Sequence, residues 1–382
     1  MIHCGKTPKE CHMKQLVILI VGVLLCSMLI SAQESNTVPE KAVDYYEKAQ
    51  KAMQEKDYAK ALKYYQKSLD KCQMYFECLR DYGKLKAMIF IGQIQKDPKY
   101  PGQEGKEAMD LLERAFKQNP EDMQVLTLLS QMYAVEPTLK DITKAKEFIM
   151  KAIALTPADM KLNQFALSMM DINTDLGYLQ QIYKNMVTIE PANVQYLAQY
   201  FDIANRVKDA DEMIWALEKL VEVKKDNLKD LRNLVVLYIQ NNKKDKAIKA
   251  LEELSKRAGD DKDLLTVVAY GYRAFKDFEK ALEPAKKLYT MNKNNKTAFE
   301  YALVAEALKK NDEAITAYTF VADSKDAFDY KTDAMRSLIN LLLDKKEYKT
   351  AMKYCDMYLK DYPNDKYLDE VKALKADIQK NM

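Results

Sequence analysis

The sequence KDYAKALKYYQKSLDKC, from Lys56 to Cys72, decides the fold because variants of it return at near-constant spacing until the chain ends. Its small residue Ala61 is the anchor on which the copies align. The aligned residues in the later copies are Ala108, Ala145, Leu179, Met213, Ala247, Ala281, Ala314 and Ala351. The successive intervals are 47, 37, 34, 34, 34, 34, 33 and 37 residues. A period of this length indicates an array of similar structural units.

Each copy has apolar residues at helical spacing. In the quoted stretch the apolar residues lie three or four positions apart, which predicts one buried stripe on a helix: Tyr58, Ala61, Leu62, Tyr65 and Leu69. The 382 residues include only nine glycines and ten prolines, as expected for a helical protein with short turns. The sequence therefore predicts an all-α fold.

Two further patterns are specific to one family. A large apolar residue, a small or apolar residue and a tyrosine recur at one spacing in three copies: Leu129, Ser130 and Tyr133; Leu234, Val235 and Tyr238; Val268, Ala269 and Tyr272. A proline follows four of the copies at Pro120, Pro157, Pro191 and Pro363. With the 34-residue period, these patterns make the chain resemble the tetratricopeptide repeat (TPR) family over residues 39–365.

The resemblance implies a right-handed superhelical α-solenoid of about nine helix-turn-helix repeats. Leu179 and Met213 depart from its pattern, since small anchors are expected there. The 47-residue interval places an insertion at about residues 97–105. Residues 366–382 are predicted to form a capping helix, because Leu368, Val371, Leu374 and Ile378 share one face.

The N-terminus carries a predicted leader. Fifteen mostly apolar residues, Leu16 to Ile30, follow Lys14 and precede Ser31 and Ala32, a pattern typical of a secretory signal. This run of apolar residues is shorter than a transmembrane helix, which takes about 20 residues. We expect residues 1–32 to be cleaved after Ala32, residues 33–38 to be a tether, and the protein to be periplasmic or secreted, from a bacterial source. Three alternatives stay open: an uncleaved anchor in the inner membrane, lipid attachment at Cys26, and a true start at Met13.

Removal of residues 1–32 changes the available chemistry. It leaves 57 basic and 56 acidic residues, a balance that argues against a nucleic-acid partner. It also removes both histidines, His3 and His12, and with them any histidine nucleophile pair, general base or metal ligand. No Gly-rich phosphate loop is present. We therefore predict a protein that is not an enzyme and uses no cofactor or metal.

The three remaining cysteines are Cys72, Cys78 and Cys355. A disulfide between Cys72 and Cys78 requires that the chain turn between them, because on one continuous helix they would point apart. Cys355 lies on the apolar face of a second helix, which predicts a small buried side chain.

The resemblance implies that a ligand binds on the concave surface, which the first helix of each pair lines. The residues that face this surface are expected 18, 15, 11, 8 and 7 positions before each anchor, and we call these the inward positions. Only seven residues are arginine, and four of them take such inward positions: Arg206, Arg232, Arg273 and Arg336. Arg80 is a fifth if the second repeat is counted forward from Ala61. The planar guanidinium can bind a carboxylate through two hydrogen bonds. We therefore predict a protein or peptide partner that carries acidic groups or a free carboxylate.

Four other residues occupy inward positions and would supply stacking and hydrogen bonds to the ligand: Tyr270, Phe299, Asn205 and Asn340. The competing interpretation is that the arginines pair within their own helices, Arg206 with Asp202 and Arg336 with Asp333. The predicted function is an exported scaffold that binds a protein or peptide in its groove. The alternatives are an envelope assembly factor, attached to the membrane only through an uncleaved N-terminal segment, and a solute or glycan binder or an enzyme that uses carboxylates alone.

Overall fold

The structure is a computed structural model that describes residues 37–97, 100, 102–135 and 140–381. Within these ranges the chain forms nineteen helices and no strand, so the predicted all-α fold is confirmed. The first nine are α1 Glu40–Gln54, α2 Tyr58–Leu69, α3 Phe76–Lys96, α4 Gln103–Gln118, α5 Met123–Ala134, α6 Ile142–Leu155, α7 Met160–Leu167, α8 Leu176–Ile189 and α9 Val194–Val207. The other ten are α10 Ala210–Val223, α11 Leu228–Gln240, α12 Lys244–Arg257, α13 Lys262–Ala274, α14 Phe278–Met291, α15 Asn295–Ala307, α16 Asn311–Asp323, α17 Lys331–Asp344, α18 Tyr348–Asp361 and α19 Leu368–Asn381.

The helices follow the predicted pairing, with odd-numbered first helices and even-numbered second helices before the final α19. The chain divides into two compact units, unit 1 ending at Met169 and unit 2 beginning at Met170. The division falls inside the fourth repeat, whose anchor is Leu179. Consecutive helices pack together within each unit, and first helices also contact one another, α3 with α5 and α11 with α13.

The predicted anchors line the cores of both units. Each anchor alanine is fully buried, Leu179 is also buried, and Met213 is half-buried. Unit 2 has two core clusters, and Val221, Ile239 and Phe275 pack against both. Tyr58 departs from its predicted stripe, since it is 43% exposed at the first position of α2.

A short turn joins the two helices of a pair in six repeats, with three residues in five of them and two between α9 and α10. Each turn contains one non-glycine residue with φ of 54–60°: Lys56, Lys208, Asn242, Lys276, Lys309 and Lys346. In the α13–α14 turn, Lys276 N–H donates to the Arg273 carbonyl and Asp277 N–H to the Tyr272 carbonyl, both at 2.9 Å. These bonds form a Schellman motif, in which glycine is the usual residue. Asp277 then accepts from Lys280 N–H and begins the next helix.

Lys276→Gly is therefore expected to stabilise the protein by about 1 kcal/mol, because the left-handed conformation costs an L-residue about 1–2 kcal/mol. Lys249→Gly is the control, since Lys249 is an exposed residue inside α12 where glycine costs about 1 kcal/mol. Urea unfolding followed by circular dichroism measures both changes. A loss of stability in Lys276→Gly would contradict the prediction.

Tyrosine–carboxylate hydrogen bonds join neighbouring repeats. Tyr238 Oη on α11 donates to Glu218 Oε1 on α10 (2.7 Å), which also accepts from Lys246 Nζ (2.7 Å). Partial burial alone would raise the pKa of Glu218, but the hydrogen bonds from Lys246 and Tyr238 outweigh it and lower that pKa below the ordinary 4.5. Tyr133 on α5 makes the same kind of bond to Glu113 on α4.

This shift has a defined effect on acid stability. Because the folded-state pKa of Glu218 is the lower one, its contribution is present above pH 4.5 and is lost as the pH falls through the folded-state value. Glu218→Gln is expected to reduce the fall in melting temperature between pH 6 and pH 3.5. The exposed, neighbouring Glu222→Gln serves as control. Equal pH profiles for Glu218→Gln and the unsubstituted chain would refute the assignment.

The structure describes the C-terminal segment but only part of the N-terminal segment and of the insertion. The capping helix is confirmed as α19, with Val371 and Ile378 fully buried. The leader, its cleavage point and most of the tether lie outside the described residues, as do residues 98, 99 and 101 of the insertion. At the end of that insertion, Gly102 has φ of 78° and precedes α4. No helix among the described residues is both long and apolar enough to cross a membrane.

Cys72, Cys78 and Cys355, which lie within the described residues, are free thiols in this structure. Cys72 is half-buried in the turn after α2, whereas Cys78 is fully buried on α3 with its Sγ 3.5 Å from the Tyr65 carbonyl oxygen. The candidate disulfide is thus not formed, because Cys78 faces the core. Burial raises the pKa of Cys78 to about 12 and that of Cys355 to about 11, and Cys355 is buried as predicted.

Candidate functional site

Two adjoining pockets lie on the first helices of unit 2. The Arg232 pocket, about 350 Å³, is lined by Phe201 of α9, Arg232 and Val236 of α11 and Val267 of α13. The Tyr270 pocket, about 400 Å³, lies between α13 and α15, with α14 beneath it. We call these two pockets together the unit 2 groove.

The Tyr270 pocket combines an apolar floor with a polar rim. Ala285 and Leu288 of α14 form the floor. Lys262, Tyr270 and Glu300 stand at the rim, and Tyr270 is 51% exposed. This is the largest exposed aromatic surface at an inward position named from the sequence. An apolar side chain fits the floor while polar groups of the same ligand contact the rim.

An ion pair joins the two pockets. Arg232 Nη1 lies 3.7 Å from Asp263 Oδ2, and Asp263, which lines the Tyr270 pocket, is 83% exposed. Arg232 Nη2 also donates to Asn233 Oδ1 (3.1 Å). A long, water-exposed pair of this kind contributes little to stability. Asp263 can therefore release the guanidinium to another carboxylate at low cost.

A second arginine reinforces the rim. Arg273 Nε lies 2.9 Å from Glu300 Oε2, and its guanidinium lies 5.6 Å from the centre of the Tyr270 ring. The shorter distance makes this pair tighter than that of Arg232. Arg273 therefore supports Tyr270 and Glu300, and Arg232 is the more available of the two cations.

The remaining inward arginines of unit 2 are also paired with carboxylates. On α9, Arg206 Nε donates to Asp202 Oδ2 (2.9 Å), as the self-pairing interpretation expected, and Asn205 beside it is exposed. On α17, Arg336 Nη1 lies 3.4 Å from Glu370 Oε1 of α19 instead of pairing with Asp333.

The reason is that α19 approaches α17. Tyr367 Oη donates to Asp333 Oδ1 (3.0 Å), and the Tyr367 ring centre lies 4.4 Å from the Arg336 guanidinium. Asn340, also on α17, is half-buried.

Arg80 belongs to unit 1, apart from the unit 2 groove in the sequence. Its Nε donates to Asp81 Oδ1 (2.8 Å), and its Nη1 lies 3.6 Å from Asp122 Oδ2. The pKa of Arg80 is raised, first by the hydrogen bond to Asp81. Asp81 also accepts from Tyr46 Oη (2.7 Å) and Gln50 Nε2 (2.6 Å), so the group joins α1, α3 and the start of α5. These contacts hold the Arg80 guanidinium against carboxylates of unit 1.

Phe299 does not take the place expected for a ligand-stacking residue. It is only 8% exposed, and its ring contacts Tyr318, Phe328 and Tyr330. The loop between α16 and α17 supplies the last two. This loop could have been suspected from the 37-residue interval between Ala314 and Ala351, which is three residues longer than the period.

Two rim residues, Lys262 and Glu300, were also missed, since neither occupies a predicted inward position. The largest cavity among the described pockets, about 660 Å³, lies in unit 1 between α2, α3 and α4 and was not predicted either. Its polar walls pair internally, Lys86 with Glu107 and Arg114 with Asp110. Over the described residues, no cluster of acidic, cysteine or histidine side chains could hold a metal.

Comparison with known proteins gives low similarity throughout. Residues 299–366 match the tetratricopeptide repeat family model. No curated protein matches the chain. A crystal structure of the MamA protein is 16% identical, covering 50% of this chain and 95% of its own, with a TM-score of 0.34. A tetratricopeptide repeat protein from Parabacteroides merdae is 14% identical, covering 71% and 98%, with a TM-score of 0.33.

YrrB, described as a TPR protein with an unusual peptide-binding site, is 14% identical over 52% of this chain and 97% of its own, with a TM-score of 0.30. Similarities this weak carry no argument about partners. The repeated helix pairs and the family match over residues 299–366 nevertheless agree with one another. Over residues 299–366 the chain therefore matches the tetratricopeptide repeat family, in agreement with the resemblance predicted from its sequence.

Proposed function

We propose that this chain is an exported, non-enzymatic scaffold that binds a protein segment in the unit 2 groove. The segment carries an apolar side chain for the Tyr270 pocket and a carboxylate for Arg232. The observation that carries the proposal is the exposed Tyr270 in a pocket that also contains Asp263, which makes the one carboxylate contact of Arg232 found among the described residues, at 3.7 Å and with the Asp263 side chain in solvent.

The energetics favour exchange at Arg232. The ion pair between Arg232 and Asp263 has an N–O distance of 3.7 Å, and the Asp263 side chain is 83% exposed. Breaking this ion pair therefore costs little free energy. A ligand carboxylate bound through the guanidinium fork forms charge-assisted hydrogen bonds, each contributing about 1.5–3 kcal/mol. The apolar floor then adds the burial of one side chain.

The test uses dodecapeptides selected from a displayed library on the full-length chain and then synthesised. Selected sequences are expected to combine an acidic residue with a large apolar one. Arg232→Ala is expected to weaken their binding about tenfold in isothermal titration calorimetry, since one charge-assisted contact is lost. Tyr270→Ala is expected to weaken it as well.

Arg257→Ala is the matched control. Arg257 is as exposed as Arg232 and is also paired with acidic residues, Asp226 and Glu253, but it lies on the second helix α12 outside the groove. Its variant is expected to bind within twofold of the unsubstituted chain. Equal affinities for the Arg232 and Arg257 variants would refute the proposed site.

The exported state has its own test. Mass spectrometry of the protein recovered from its source cells is expected to show a chain that begins at Gln33. A chain that retains residues 1–32 in the membrane fraction would favour the tethered assembly factor instead. Thermal-shift screening against sugars and small acids detects the solute-binding alternative, because a ligand that binds the native state raises the melting temperature.

A further inference from the structure

The inward positions of unit 2 differ in what covers them. Fifteen residues before their anchors stand Arg232, Thr266, Phe299 and Arg336. Thr266 is exposed and Arg232 borders a pocket. Phe299, in contrast, is 8% exposed, and Arg336 is held by Tyr367 and Glu370. The surface open to a partner therefore runs over α9, α11 and α13 and stops at α15.

The covering group at α15 is the loop 324–330, SKDAFDY, between α16 and α17. The Tyr330 ring stacks on Phe299 with centres 5.4 Å apart, and the Phe328 ring meets Phe299 edge-on at 5.6 Å. Phe328 and Tyr330 also contact one another at 5.8 Å. These two aromatic side chains occupy the space in which a ligand side chain would meet Phe299.

The loop is fixed by polar contacts at its beginning. Asn295 Nδ2, at the start of α15, donates to Ser324 Oγ (3.1 Å), which also accepts from Asp326 N–H (3.2 Å). Lys331 Nζ donates to the Ser324 carbonyl. Asn295 is buried and Ser324 is half-buried, so this hydrogen bond is partly shielded from water. The covering is a built part of unit 2.

We infer that Phe328 and Tyr330 form a stop that sets where a bound segment ends. The inference rests on the proposed function. A segment in the unit 2 groove runs over α9–α13 and ends beside Glu300, at the edge of the Tyr270 pocket. It does not reach Arg336 or Asn340 on α17. One end of the segment therefore has little room for additional residues, whereas the opposite end, at α9, is not covered by this loop.

The experiment uses the dodecapeptides selected on the full-length chain. Each is extended by six Gly-Ser residues, first at one terminus and then at the other, and its affinity is measured. One extension is expected to weaken binding at least tenfold, and the opposite one to change it less than twofold. In the Phe328→Ser/Tyr330→Ser chain the penalty is expected to fall below threefold. Hydrogen exchange of the unsubstituted complex is expected to show protection in α11 and α13 and none in α17.

The outcomes separate the stop from the proposed function. Binding that depends on Arg232 but tolerates both extensions equally, or protection that reaches α17, overturns the stop alone. A penalty that persists in the double variant also overturns it. Absence of any bound peptide overturns the proposed function and the stop together. If the double variant loses its helical signal, Tyr330→Ser replaces it, because Tyr330 is 55% exposed.

Discussion

Tyr65→Ala is expected to lower the free energy of unfolding by about 3–5 kcal/mol, the range for removing a buried aromatic ring. Tyr65 is 1% exposed in the core of unit 1. Its ring stacks on Tyr82 (5.7 Å between centres) and contacts Tyr46 (6.1 Å). Its hydroxyl oxygen accepts from Gln50 Nε2 (3.0 Å). The truncation leaves a cavity shared by α1, α2 and α3.

Tyr58→Ala is the matched control, since Tyr58 lies on the same helix and is 43% exposed. Its substitution is expected to cost less than about 1 kcal/mol. Tyr65→Phe keeps the ring and is expected to cost about 1 kcal/mol through the lost hydrogen bond. Urea unfolding monitored by circular dichroism measures all three. Equal losses for Tyr65→Ala and Tyr58→Ala would show that α2 does not bury the face described.

Ala61→Leu is expected to lower the free energy of unfolding by about 1–3 kcal/mol, because added carbons in a packed core force side chains and backbone apart. Ala61 is fully buried and belongs to the same core cluster as Ala42, Ala49 and Ala52 of α1. The two helices approach closely enough for Ser68 Oγ to donate to the Ala42 carbonyl (2.7 Å). A leucine at the anchor would separate them.

Ala59→Leu provides the comparison, since Ala59 is exposed on the same helix and leucine has nearly the same helix propensity as alanine. Its expected change is within about 0.5 kcal/mol. The difference between the two variants isolates the packing at the anchor from any effect of leucine on the helix itself. Similar stabilities would mean that the small anchor is not required.

The site was only partly accessible from the sequence. Counting back from the anchors placed Arg232 and Tyr270 on one surface, and both line the unit 2 groove. The same count could not show that Phe299 is covered, because Phe328 and Tyr330 lie 29 and 31 residues after it in an irregular loop. The sequence also suggested an ion pair between Arg336 and Asp333, because spacing predicts pairs only between neighbours on one helix. In the structure Arg336 lies instead beside Glu370.

The sequence by itself determined the helices and their pairing. Buried small residues at a 34-residue period and apolar residues at helical spacing depend only on contacts within a repeat and with the next one, which periodicity records. The turns were equally local, although the chain places lysine where glycine is usual.

Only the tertiary structure decided which inward residues remain open. Whether an arginine is free, loosely paired or stacked depends on side chains from another repeat, such as Asp263 for Arg232 and Tyr367 for Arg336. The division at Met169 likewise follows from packing between helices. These features are set by contacts between distant residues, and no local pattern in the chain encodes their distances.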